Sequence, residues 1–303
     1  GVPKEAFIND IRADLFDADT VYVALDNHKN GDFKPYLYRS TDRGRSWSSM
    51  VGDLPERHLV WRVVQDHVKP ELFFAATEFG LFFTPDKGRH WVHLKGDSPT
   101  ISFRDVTIQR RENDLVGASF GRGFFVLDDY SALRSIDAAA LEQDATLFTP
   151  RRAWWYIERR PLAGDGKAYN GDGFYFAPNP DFGAIFTYYL KDDLQGRAAQ
   201  RKSDETPLLK DGKDTPVPSW TDLEAERREQ EPALMLVIRD AEGDIVRRVP
   251  ETEKKGVQRV SWDLRYPSMD AIGTPPDYFT PEPVGFLAMP GDYKATLEKR
   301  VDG

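Results

Sequence analysis

The segment Ser40-Thr41-Asp42-Arg43-Gly44-Arg45-Ser46-Trp47 returns 44 residues later as Thr84-Pro85-Asp86-Lys87-Gly88-Arg89-His90-Trp91, with the hydroxyl residue, Asp, Gly and Trp in register. Short apolar segments repeat with it: Val21 to Leu25, Leu72 to Ala76 and Leu115 to Ser119, the last two 43 residues apart. A period in the forties with several short strands per unit is that of a four-stranded propeller blade, whereas helical repeats would show a 3.6-residue periodicity. Inside the turn an Asp accepts backbone N–H groups, Gly supplies a positive φ, and Trp is expected to pack its ring into the blade. Ser40, Asp42, Gly44, Trp47, Thr84, Asp86, Gly88 and Trp91 are therefore expected to be structural, not catalytic.

A third unit runs from Phe103-Arg104-Asp105-Val106 to Asp128-Asp129 and lacks the turn motif, as terminal repeats often do. The pattern [Ser/Thr]-x-Asp-x-Gly-x-x-Trp resembles the Asp-box of neuraminidase-like (BNR) repeats, shared by sialidases, some endoglucanases and sortilin-type propellers. With Thr77-Glu78-Phe79-Gly80-Leu81 and Gly121 to Leu133, most of the chain resembles the C-terminal part of bacterial sortilin-like proteins, which often carry a glycosyl hydrolase label. The resemblance implies a secreted or periplasmic location and further propeller blades upstream.

Charge and composition exclude several other classes. A net charge of −9 argues against a nucleic-acid partner, which would need clustered Lys and Arg. The absence of cysteine removes disulfides, thiolate metal sites and Cys nucleophiles. The longest apolar run is about the six residues Ala233 to Ile238, too short to span a bilayer. Gly1 onward shows neither a basic nor an apolar leader segment, so any signal is expected upstream or absent.

In an up-and-down blade the repeated turn joins strands three and four, and the turn between strands two and three lies at the opposite end. The latter end is where a site is expected. Its candidates are Asp26, Asn27, His28 and Asp32 in the first blade, Glu78 in the second and Arg122 in the third. The loops joining blades are expected at the same end and add Asp53, Glu56, Arg57, His58 and Asp97. A glycosidase needs two carboxylates about 5–5.5 Å apart for retention or about 6.5–9.5 Å apart for inversion. Asp26, Asp53 and Glu78 are the candidates, against the alternative that they are solvated loop carboxylates. Arg122 between glycines suits a carboxylate or sugar hydroxyl, or simply a tight hairpin, and a lone arginine does not make a sialidase. His90 and His93, three residues apart, are expected to face opposite ways, so no shared metal site follows. No metal or cofactor motif is present.

A helical stretch at about Ser131 to Glu142 leads to Trp154-Trp155-Tyr156, read as a docking segment or a sugar-stacking platform. Gly164 to Lys167 and Asn170 to Gly173 read as Gly/Asp turns. Beyond them the sequence predicts strands at Ala184 to Leu190, Ala233 to Arg239, Ile245 to Val249, Val257 to Leu264 and Lys294 to Glu298. Lys191 to Val217 reads as a mobile polar insertion and Ser219 to Glu226 as a capped helix. Trp262-Asp263 and Pro290-Gly291-Asp292-Tyr293 resemble signatures of hook-capping-type immunoglobulin-like or fibronectin modules. Val301 to Gly303 reads as a turn whose return strand lies beyond.

The expected fold class is mainly β, a partial propeller of about three blades followed by an immunoglobulin-like β-sandwich. Its expected limits are 1–130 for the blades, 131–180 for a linker, and 181–303 for a sandwich with an insertion at about 191–230. Three functions compete: a scaffold binding a polypeptide or glycan through the loops, a glycoside hydrolase with a site shared with upstream blades, and a purely structural segment. Three blades do not close a ring, so an isolated chain is expected to expose sheet edges and to associate.

Overall fold

The computed structural model describes residues 2–96, 98–157, 179–269 and 284–300. Asp97, the Gly/Asp turns at 164–167 and 170–173, and the terminal turn at 301–303 lie outside the described residues. The chain divides into two compact units, Gly1–Asp137 and Ala138–Gly303. Together they make a mainly β protein: a partial propeller and a β-sandwich.

The first unit is three antiparallel meanders. Strands β1 (Phe7–Ala13), β2 (Val21–Asn27), β3 (Asp32–Ser40) and β4 (Ser48–Ser49) form the first, and β5 (Val60–Gln65), β6 (Phe73–Thr77), β7 (Gly80–Thr84) and β8 (Val92–Leu94) the second. The third has three strands among the described residues, β9 (Phe103–Gln109), β10 (Asp114–Ser119) and β11 (Gly123–Leu127). Alternation along each strand sends one set of side chains into each neighbouring sheet. Tyr22, Ala24 and Leu37 of the first sheet meet Val63, Phe73, Ala75 and Phe82 of the second in one buried core. Burial of each large member stabilises the fold by about 1.5–3 kcal/mol. On the other side of the second sheet Leu81 lies over Gly117, where an added Cβ would come within 2.8 Å of it. Glycine is what lets the second and third sheets approach.

Both repeated turns form as their residue types dictate. Ser40 Oγ donates to Asp42 Oδ1 at 2.7 Å and accepts from the Gly44 N–H at 2.8 Å, and Thr84 does the same for Asp86 and Gly88 at 2.8 and 2.9 Å. Asp42 then accepts from the Ser46 N–H and Asp86 from the His90 N–H. Hydrogen bonds, first of all from the Ser46 hydroxyl, hold Asp42 down at about 2. The tryptophans part company. Trp91 is 7% exposed, packed in the core between sheets, but Trp47 is 43% exposed, contrary to the expectation that both rings are buried. What covers Trp91 is the preceding sheet: Met50 accepts from its indole at 3.2 Å.

A 3-10 helix at Tyr130–Ser135 fastens the end of the third sheet to the second. Buried Asp66, after β5, accepts from Tyr130 Oη at 2.7 Å and takes both Arg134 Nε and Nη2 at 2.8–3.1 Å.

In the second unit α1 (Ala138–Glu142) precedes β12 (Ala145–Leu147), which pairs with β13 (Ala184–Leu190), itself paired with β16 (Gly256–Trp262). Residues 145–147, expected in the linker, thus form an edge strand. The facing sheet has β14 (Ala233–Arg239) between β15 (Ile245–Glu251) and β17 (Lys294–Arg300). Phe186 and Trp262 from one sheet meet Leu236, Ile238 and Val246 from the other. The two sequence signatures converge here, for the Tyr293 ring packs edge-on against Trp262 at 5.2 Å. The insertion expected to be mobile is instead partly helical. Helix α2 (Arg197–Lys210) is tied by Arg201 to Glu205 within it and to Glu226 of α3 (Trp220–Arg228). Composition alone had concealed that pairing. The expected cap is present: Ser219 and Asp222 form a reciprocal capping box on α3.

Candidate functional site

Antiparallel pairing of Phe7 with Asp26, Val60 with Thr77 and Phe103 with Ser119 brings the starts of β1, β5 and β9 level with the β2–β3, β6–β7 and β10–β11 turns. At this end each first strand is interrupted at the equivalent place. Register shifts fall between Ile8 and Asp10, between Val60 and Arg62, and opposite the Ala118–Ser119 step, leaving Asn9, Trp61 and Arg104 as the extra residues. Such a bulge turns one side chain out of the pleat and re-aims it.

Trp61 is the hub of the resulting cluster. Its indole N–H donates to Glu78 Oε2 at 2.9 Å, and Ser102 Oγ donates to the same oxygen at 3.0 Å. The Arg104 guanidinium lies 3.6 Å from the centroid of the Trp61 ring, 5.1 Å from that of Phe120 and 3.8 Å from Glu78. A cation over an indole face contributes about 0.5–2 kcal/mol, depending on desolvation. The His28 ring also meets Trp61, edge-on at 5.8 Å. His28 Nδ1 is hydrogen-bonded to Asp26, whose side chain is buried. Asn9 Nδ2 donates to the Val60 carbonyl at 3.1 Å. The three sheets are thus linked at this end through Asp26, His28, Trp61, Glu78 and Arg104.

The rim is aromatic and cationic. Arg57 lies over Phe33 at 5.6 Å, and His58 meets Phe79 and Phe82 edge-on at 5.3 and 5.5 Å. His93 stacks on Phe82 at 4.6 Å, and burial lowers its pKa. Asp32 is held below the usual carboxylate range, chiefly by the Tyr36 hydroxyl at 2.6 Å. Tyr36 is pushed up to about 12 by burial and by that bond. Asn27, buried, accepts from Asn30 Nδ2 at 2.7 Å and so shapes the β2–β3 turn.

Several sequence candidates lie elsewhere. Asp53 was expected at this end, yet its Oδ1 accepts from the Trp91 N–H at 2.7 Å, beside the repeated turn at the opposite end of the second sheet. The loop leaving β4 runs along that turn, with Gly52 packed against the Gly88 carbonyl, before it crosses to β5. Asp53 therefore does not join Asp26 and Glu78. Glu56 is exposed in the same loop, and Arg122 is exposed at the tip of the β10–β11 hairpin, formed by Gly121 and Gly123 at φ 75° and 109°. His90 pairs with Asp86, which raises its pKa, well away from His93 on Phe82. Sequence reasoning missed Trp61, Ser102 and Arg104. A signal existed: Trp61 and Arg104 are 43 residues apart, on the period of the repeat.

No family model and no curated protein matches the chain. Among solved structures it is similar to an ancestral GH74 enzyme, at 22% identity over 38% of this chain and 14% of that one, with a TM-score of 0.32. The GH74 xyloglucanase from Xanthomonas campestris gives 17% identity over 47% and 25%, with a TM-score of 0.32. PorZ, a bacterial surface component of the type-IX secretion system of Porphyromonas gingivalis, gives 12% identity over 97% and 38%, with a TM-score of 0.34. The chain spans well under half the length of each of these proteins. Likeness at this level bears on neither activity nor ligand.

Proposed function

We propose that the chain is a binding scaffold of the Asp-box, sortilin-like type, acting outside the cytoplasm, which takes a polypeptide or glycan at the end of the sheets where Trp61, Glu78 and Arg104 cluster. The observation that carries this reading is the stack of Arg104 on Trp61 beside Glu78, set up by two of the three equivalent bulges. A planar guanidinium on an indole, beside a carboxylate, offers a stacking surface and both signs of charge. Peptide groups, acidic side chains and sugar rings all suit such a surface. The extracytoplasmic assignment rests on the repeat's resemblance.

The hydrolase reading is less well supported. Glu78 Oε2 is already taken by Trp61 and Ser102, Asp26 is buried against His28, and Asp53 sits at the opposite end. A screen of peptide and glycan arrays with wild type, Arg104→Ala and Glu78→Gln tests the binding proposal. Ligands bound by wild type are expected to lose about tenfold or more in affinity in both variants, the scale of one lost charge-assisted contact. Exposed Arg122→Ala should match wild type. If Arg104→Ala and Glu78→Gln both bind as wild type does, the site is wrong.

A further inference from the structure

Glu78 owes its place in the cluster to a two-residue turn. Thr77 pairs with Gly80 across the β6–β7 hairpin, Thr77 Oγ1 donates to the Gly80 carbonyl at 2.8 Å, and the Glu78 N–H donates to the Leu59 carbonyl at 3.0 Å. Two histidines brace that turn. His93 of β8 lies opposite Phe82, its ring stacked on the Phe82 ring at 4.6 Å, and its Nε2 end fills the space that a side chain on Gly80 would need. His58, next to Leu59, meets Phe79 of the turn edge-on at 5.3 Å and Phe82 at 5.5 Å.

The repeat does not require this stack. In the first sheet, 44 residues earlier, Tyr38 and Ser49 hold the places of Phe82 and His93, and that sheet forms with no imidazole there. What His93 adds belongs to the turn that carries Glu78. Its seat suits a neutral ring. Among the described residues no acceptor hydrogen-bonds to either His93 nitrogen. The charged and titratable groups that act on it are Lys95, on its own strand, and His58, on the loop facing it, while β7 presents the uncharged Phe82 and Gly80. Burial first, then Lys95 and His58, lower its pKa from the ordinary 6.5. An imidazolium is thus better accommodated by water than by this seat. The packed ring binds its proton less readily than a released one, so the packing is secure above about pH 6.5 and is lost as pH falls through the lowered value. The ring is half-buried, and rotation about its side-chain bonds takes it to water.

We propose that His93 is a positioning residue for the cluster of Trp61, Glu78 and Arg104, a proton-sensitive brace that fixes the Glu78 turn while neutral and frees it on protonation. The cluster then holds its ligand at neutral pH and releases it in acid. This regulation rests on the reading of that cluster as the binding site.

The first test uses the full chain and needs no ligand. NMR follows exchange of the Glu78 amide, corrected for its intrinsic pH dependence, between about pH 7.5 and about pH 5, the span in which histidine titrates. The ring signals of the five histidines are followed with it. In wild type His93 is expected to titrate below about 6.5, and the Glu78 amide to open about tenfold more for each unit by which the seat lowers that pKa. His93→Phe stacks but does not titrate, and should keep the amide equally protected throughout. His93→Gln is a second neutral replacement, and circular dichroism checks that both fold. His58→Gln should keep the acid response.

The second test repeats the peptide and glycan arrays at both pH values. Ligands held at neutral pH by wild type, and lost by Arg104→Ala, should be released in acid by wild type and kept by His93→Phe. Equal protection of Glu78 at both pH values overturns the proposal, and so does an acid release that persists in His93→Phe. Arrays in which Arg104→Ala and Glu78→Gln bind as wild type does remove the site itself. Binding that depends on Arg104 but not on pH removes only the brace.

Discussion

Gly44 and Gly88 occupy the same place in two copies of one turn, at φ 85° and 83°, and differ only in their surroundings. An L side chain in this left-handed region costs about 1–2 kcal/mol. Gly44→Ala should therefore lower stability by about that amount, since the added methyl meets only Trp47 at an ordinary distance. Gly88→Ala must also displace Met50 and should cost clearly more, with overpacking adding about 1–3 kcal/mol. Urea denaturation of the pair checks the order, and equal losses would mean that Met50 yields freely. The residue types of the turn were legible in the sequence because their hydrogen bonds are local. The burial of one Trp and exposure of the other was not, because it depends on a neighbouring sheet that the motif does not encode.

At the scale of elements, the strand pattern was readable wherever alternation or a continuous apolar run is strong, as in β6 and β14. Helix α2 was not, since the partner that Arg201 bridges to, Glu226, lies on another helix. The 43-residue spacing of Trp61 and Arg104 marks equivalent positions in the repeat, but that they are bulges is not legible in either strand, since a register slip is a property of two strands, not of one. Strand β15 carries a further consequence. Glu251, its last residue, has a buried Oε1 with no hydrogen-bond partner, and burial pushes its pKa up from the ordinary 4.5 to about 7. An acid raised in this way binds its proton more readily folded than unfolded. The sandwich should lose stability as pH rises from about 4.5 towards about 7, and be level with respect to this group outside that window. Glu251→Gln should flatten the slope, as measured by chemical denaturation across the window. An unchanged slope would place the titration elsewhere.

The whole molecule holds two units with separate cores, and each has its own pH lever. Burial alone would raise the Asp66 pKa, but Arg134, the Lys69 N–H and Tyr130 outweigh it and hold the carboxyl below its ordinary value. The stabilisation from Asp66 is then present above the unfolded pKa of about 3.9 and lost as pH falls through the depressed folded value. Removing one partner of a buried pair costs about 3–5 kcal/mol, so Asp66→Asn should sharply lower the stability of the propeller unit. Calorimetry is expected to give two transitions, one moved by Asp66→Asn and the other by Glu251→Gln. A single transition moved by both would mean that the units unfold as one.

By itself the sequence determined the repeat, its turn chemistry, the mainly β class and the hairpins of the sandwich, all set by interactions within a few residues or by periodicity along one strand. Only the tertiary structure decided which carboxylates share an end of the sheets. It moved Asp53 to the opposite end and gathered Glu78 with Trp61, Ser102 and Arg104. Those outcomes depend on register and on sheet-to-sheet packing, in which residues far apart in the chain become neighbours.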